Sequence, residues 1–121
     1  SLFNMDISGG MPAVILKMLA ESDPGRIQIL PALPREWSSG TVEGILCRGQ
    51  VEIKRLHWNN QTIQLTLKSG KQQDIILCAP AEIGSIEVKS GKARVKKTDN
   101  PETRKVSLPA IQEIQLHLTL K

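Results

Sequence analysis

Two periodicities divide this chain. Between Met11 and Leu19 the apolar residues Met11, Val14, Ile15, Met18 and Leu19 recur at helical spacing. Leu16 widens the stripe, so the predicted helix asks for burial over most of its girth, and only Lys17 and Glu21 clearly suit water. Gly9-Gly10 lead in, Pro12 suits the first turn, and Asp23-Pro24-Gly25 stops the helix. From Thr41 onward the period is two. Thr41–Arg48 and Gln50–Trp58 read as strands around Gly49. Val51 and Ile53 share one parity and Leu56 and Trp58 the other, which predicts a β-bulge near Lys54-Arg55. Asn59-Asn60 makes a turn into Thr62–Leu67, where Ile63, Leu65 and Leu67 face inward.

After a turn at Ser69-Gly70-Lys71, the apolar run Asp74–Cys78 predicts a central strand, ended by Pro80-Ala81. Ser85–Lys89 and Lys92–Lys97 read as a hairpin about Ser90-Gly91. Thr98–Arg104 reads as a polar loop, Val106 and Leu108 as a short strand, and Ile114, Leu116, Leu118 and Leu120 as a long closing strand. The expected fold is mainly β, an antiparallel β-sandwich of about eight strands preceded by one N-terminal α-helix.

Between the two regimes lies Arg26–Val42. Pro31 and Pro34 forbid a helix or central strand through their segment, yet Ala32, Leu33 and Trp37 want burial. The segment therefore reads as a rigid crossing between packed layers, with Trp37 largely buried. Its Leu30-Pro31-Ala32-Leu33-Pro34-x-x-Trp37 run, followed by Ser39-Gly40-x-Val42-x-Gly44 and Arg48-Gly49, resembles the junction near the C-terminus of family 95 glycoside hydrolases, the α-L-fucosidase and α-L-galactosidase group. The likeness extends upstream through Phe3-Asn4-Met5-Asp6 and the glycine turn, covering roughly Leu2–Ile53.

That resemblance implies a division of the chain. Residues 1–25 would be the last helix of a catalytic helical barrel, 26–40 a proline-rich connector and 41–121 a C-terminal accessory β-sandwich domain. The partners it implies are the upstream barrel of a parent chain and, through it, a glycan substrate. The parent would be an inverting α-L-fucosidase-like hydrolase, periplasmic or secreted, needing no cofactor. Such a hydrolase sets an acid and a base on opposite sides of the sugar. Asp6 aligns with an aspartate that supports a water-activating asparagine in the barrel. The family usually continues with glycine and asparagine, where Ile7 and Ser8 stand here. Read from its own residues alone, Asp6 is a solvated carboxylate ahead of a helix.

At 121 residues the chain holds one domain, or one domain and part of another, and is far shorter than a whole barrel enzyme. The net charge of +4 suits solubility and does not single out nucleic acid. No apolar run approaches the ~18 residues of a membrane span. Cys47 and Cys78 form no metal motif, and either bridge across a sheet or stay as buried thiols. His57 and His117 stand at outward parity without partners at metal spacing, so no metal site is expected. The basic run Lys89–Lys105 reads as a solvated hairpin. Two Trp, one Phe and no Tyr make a poor stacking platform for a carbohydrate-binding module, the alternative reading, which an apolar groove with exposed Trp58 would favour. Without barrel neighbours to cover Val14, Leu16 and Met18, the segment Pro12–Ala20 is expected to recruit a second chain.

Overall fold

The computed structural model describes residues 2–6, 20–30 and 38–121. The helix expected over Met11–Leu19, its self-association and the burial of Trp37 lie outside those residues. The described strands are β1 (Leu2–Asp6), β2 (Ala20–Asp23), β3 (Arg26–Ile29), β4 (Ser39–Cys47), β5 (Val51–Asn59), β6 (Thr62–Ser69), β7 (Gln73–Cys78), β8 (Ile83–Ser90), β9 (Arg94–Lys97), β10 (Thr103–Leu108) and β11 (Glu113–Leu120). They form a six-stranded sheet, β1-β4-β5-β6-β11-β8, and a five-stranded sheet, β2-β3-β7-β10-β9.

Alternation decides which side chains meet. Leu56, Trp58, Ile63, Leu65, Leu67, Ile114, Leu116 and Leu118 of the larger sheet and Ile27, Ile29, Ile75, Leu77, Val106 and Leu108 of the smaller one share a single buried cluster. Removing each such side chain from water contributes about 1.5–3 kcal/mol, so the fused inner faces hold the sandwich. The expected bulge is present. Ile53 pairs with Leu67 and Arg55 with Thr66, which leaves Lys54 over. Gly44, at φ 76°, lies beside the same irregularity on β4, between the Glu43–Arg55 and Ile45–Ile53 pairs.

Five expectations need correction. Among the described residues the strands number eleven rather than about eight, the additional three being β1, β2 and β3. Asp23-Pro24-Gly25, expected to stop a helix, instead turns β2 into β3, with Gly25 at φ 81°. Proline followed by a left-handed glycine serves either purpose. The sandwich is not wholly antiparallel, since β1 runs parallel to β4 and β3 parallel to β7. Side-chain alternation reports faces and says nothing of strand direction. Nor do β8 and β9 form a hairpin. β8 pairs with β11 in one sheet and β9 with β10 in the other, so the chain crosses between layers at Gly91. Finally, the loop read as Thr98–Arg104 ends early, because Thr103 and Arg104 already belong to β10 and are buried.

Polar groups fasten the layers at both ends. Gln73 on β7 donates to the Gly49 carbonyl (2.7 Å) and to Ser69 Oγ (2.8 Å), both on the six-stranded side. Ser22 Oγ on β2 accepts the Arg48 backbone N–H at 2.9 Å. At the opposite end Arg104 donates to the carbonyls of Thr103 (2.8 Å) and Ile83 (3.2 Å). The surrounding loops also bond directly, Ala79 N–H to the Glu102 carbonyl and Ile83 N–H to that of Pro101.

Candidate functional site

The outer face of the six-stranded sheet is built by register. Thr41, His57, Gln64, His117 and Glu87 lie directly opposite one another across β4, β5, β6, β11 and β8. A second row runs Glu43, Arg55, Thr66, Gln115. Because each inward neighbour is apolar, the pleat turns all these polar residues to the same outer side. The bulge at Lys54 sets Arg55 into the second row, beside Thr66. Between the rows lies a concavity of about 340 Å³ lined by Arg55, Gln64, Thr66, Lys89, Gln115 and His117.

Its electrostatics are those of a hydrogen-bonding surface. Thr41 Oγ1 and His57 Nδ1 are 2.6 Å apart, which anchors that imidazole at one end of the row. Lys89 Nζ lies 2.9 Å from Glu87 Oε2, and this bond holds the Glu87 carboxyl below its ordinary range. The lining offers guanidinium, ammonium and amide donors but no carboxylate. Such a surface can bind a polar ligand through hydrogen bonds, but its lining holds no pair of carboxyl groups.

A second concavity, of about 460 Å³, opens on the outside of the five-stranded sheet. Gln72, Asp74, Lys92, Arg94 and Ser107 line it together with Leu108, Pro109 and Ala110. Asp74 is its single carboxylate. The Ser107 hydroxyl, and then Lys105, hold it below the usual carboxylate range.

The residues singled out from the sequence do not converge. Asp6 closes β1, in register with Glu43 on β4. His57 and His117 share a row with Gln64 between them, as outward parity implied, and both are half-buried. Cys47 and Cys78 are free thiols, so the bridge between them is not formed. Burial pushes the Cys47 thiol up to about 11, against the opposing pull of the Ser22 hydroxyl. Burial also raises Cys78. Among the described residues no group of three or more His, Cys, Asp or Glu could hold a metal ion. Trp58 is 1% exposed, which removes it as a stacking surface. The polar rows escaped sequence reading because alternation gives a residue's face but not its cross-strand partner.

Comparison with protein families gives a match over residues 21–117 to the model of the glycoside hydrolase family 95, C-terminal domain. A search of curated proteins found no match.

Proposed function

Because the chain belongs to glycoside hydrolase family 95, as the C-terminal domain of that family, we propose that it is an accessory β domain that braces a catalytic barrel and is not catalytic alone. The assembled enzyme would hydrolyse α-L-fucosyl or α-L-galactosyl linkages with inversion. The observation that carries this reading is the make-up of the two concavities found among the described residues. One has no carboxylate, and the other has Asp74 alone, already engaged by Ser107 and Lys105. Inverting hydrolysis commonly sets an acid carboxyl and a base-side carboxyl about 6.5–9.5 Å apart, with room for water between them. In the assembled enzyme Asp6 would support the asparagine that activates that water, by its likeness to the family motif.

A second reading, a binding module for a polar ligand, draws on the donor-rich concavity between Arg55 and His117. The burial of Trp58 weighs against it for neutral sugars, which bind such modules by stacking.

Assay of the 121-residue chain on aryl α-L-fucosides and α-L-galactosides tests the proposal. The expected result is no turnover above background. Turnover that Asp6→Ala abolishes would overturn it.

A further inference from the structure

The two outer faces of the sandwich differ in charge. On the smaller sheet the antiparallel pairing of β9 with β10 sets Lys96 directly opposite Lys105 and Arg94 opposite Ser107. The residues between them, Val95 and Val106, point into the core side. Lys105, Ser107, Arg94 and Lys96 therefore share the outer face, and Lys92 adds a fourth cation at the rim of the concavity. All four cationic residues are exposed. Asp74, opposite Ser107 on β7, is the one carboxylate among them, and it lies 3.4 Å from Lys105 Nζ. Lys92, Arg94 and Lys96 enter no ion pair among the described residues. Further along the same sheet the charges balance, with Asp23 opposite Arg26 at the β2 edge.

Like charges set directly opposite one another on a sheet destabilise it, and the Lys96–Lys105 pair is such a case, offset in part by the single carboxylate of Asp74. Lysines on an edge strand can serve only to prevent pairing with another chain. That role does not account for Lys105, which lies on an inner strand, nor for Arg94 lining a concavity. An anion held over Arg94, Lys96 and Lys105 would relieve the repulsion and meet preset donors, the guanidinium of Arg94 suiting planar recognition of a carboxylate or sulfate. The patch has no aromatic side chain on which bases could stack, unlike surfaces that take single-stranded nucleic acid.

We propose that the β7–β10–β9 end of the outer sheet face binds an acidic polysaccharide through its carboxylate or sulfate groups. The choice of a glycan over other polyanions rests on the reading of the chain as part of a glycan-hydrolysing enzyme. The face then holds a charged polymer, while the barrel supplies the chemistry.

Affinity electrophoresis of the full chain in gels containing polygalacturonate, dextran sulfate or neutral dextran tests this. Retardation is expected with the two acidic polymers and not with dextran, and should vanish at high salt. Arg94→Gln combined with Lys96→Gln should weaken it about tenfold, as expected when charge contacts are lost. Lys92→Gln combined with Lys105→Gln supplies an independent check with the same expected direction. Lys97→Gln, next in sequence but opposite the inward-facing Arg104, should leave it within about twofold, because opposite faces of a strand are separated by the pleat. Absence of retardation, or an equal loss in Lys97→Gln and in the double variants, would overturn the proposal. So would duplex DNA or phosphatidylserine vesicles binding as tightly with the same dependence on Arg94 and Lys96. Any of these failures would leave barrel bracing standing, since that is measured on the enzyme without an acidic polymer.

Discussion

Arg104 carries its charge at 6% exposure and meets carbonyl oxygens rather than a carboxylate. Its planar fork reaches Thr103 and Ile83 together, and so ties the start of β10 to the start of β8. An ammonium is a single point charge and cannot reproduce that geometry. Arg104→Ala is expected to cost roughly 1.5–3 kcal/mol, the scale of hydrogen bonds to a charged group, and Arg104→Lys to recover less than half of it. Urea unfolding of the three proteins checks this. Cys47 gives a second residue-level test, in pH. Its thiol ionises near 9.0 when unfolded and at about 11 when folded. The folded chain keeps the proton in that window while the unfolded chain releases it. The contribution is therefore fully present below pH 9 and is lost as pH rises through 11. Between about pH 8 and about pH 10.5, wild type should lose roughly 1–2 kcal/mol more stability than Cys47→Val. Equal losses would show that the thiol does not feel its burial.

Among the elements, the crossing from β8 to β9 separates the two sheets most sharply. Gly91 holds φ at 92°, and a Cβ there would collide with Ile114 Cδ1 and lie 2.7 Å from the Glu113 carbonyl oxygen. Gly91→Ala combines a disfavoured backbone with a collision against β11, so it should cost well over about 1 kcal/mol, read from the midpoint of denaturant unfolding. The neighbouring strands explain why some of this architecture was legible in the sequence. Val51 and Ile53 against Leu56 and Trp58 broke parity within one strand, and that break is the bulge at Lys54. The alternation of Ile63, Leu65 and Leu67 likewise gave their inward face. Ile86-x-Val88 and Ala93-x-Val95, by contrast, alternate identically whether the turn between them closes a hairpin or leads to another sheet. The same limit hid β3, whose apolar Ile27 and Ile29 lie close to Pro31 and Pro34. It also hid the parallel pairing of β3 with β7, a long-range choice that no local pattern encodes. Arg104 was invisible for a different reason. A charged residue at the end of a polar run reads as solvent-facing, and only the fold shows carbonyls converging on it.

At the scale of the molecule, the match over residues 21–117 and the buried core shared by the two sheets agree on a β domain of family 95. The candidate site was less legible than the fold. The motif pointed to Asp6, which ends an edge strand beside Glu43, whereas the two concavities are assembled from residues with no sequence signature. On the proposed reading the domain would act on catalysis through the barrel, and the two concavities among the described residues hold Asp74 as their one carboxylate. The most direct test is thermal unfolding of the catalytic barrel, prepared without this domain, alone and after addition of the 121-residue chain. Bracing predicts that the two associate and that the barrel's Tm rises in proportion to the chain bound, as linkage requires, while the chain contributes no turnover by itself. An unchanged Tm with no association on sedimentation would contradict it.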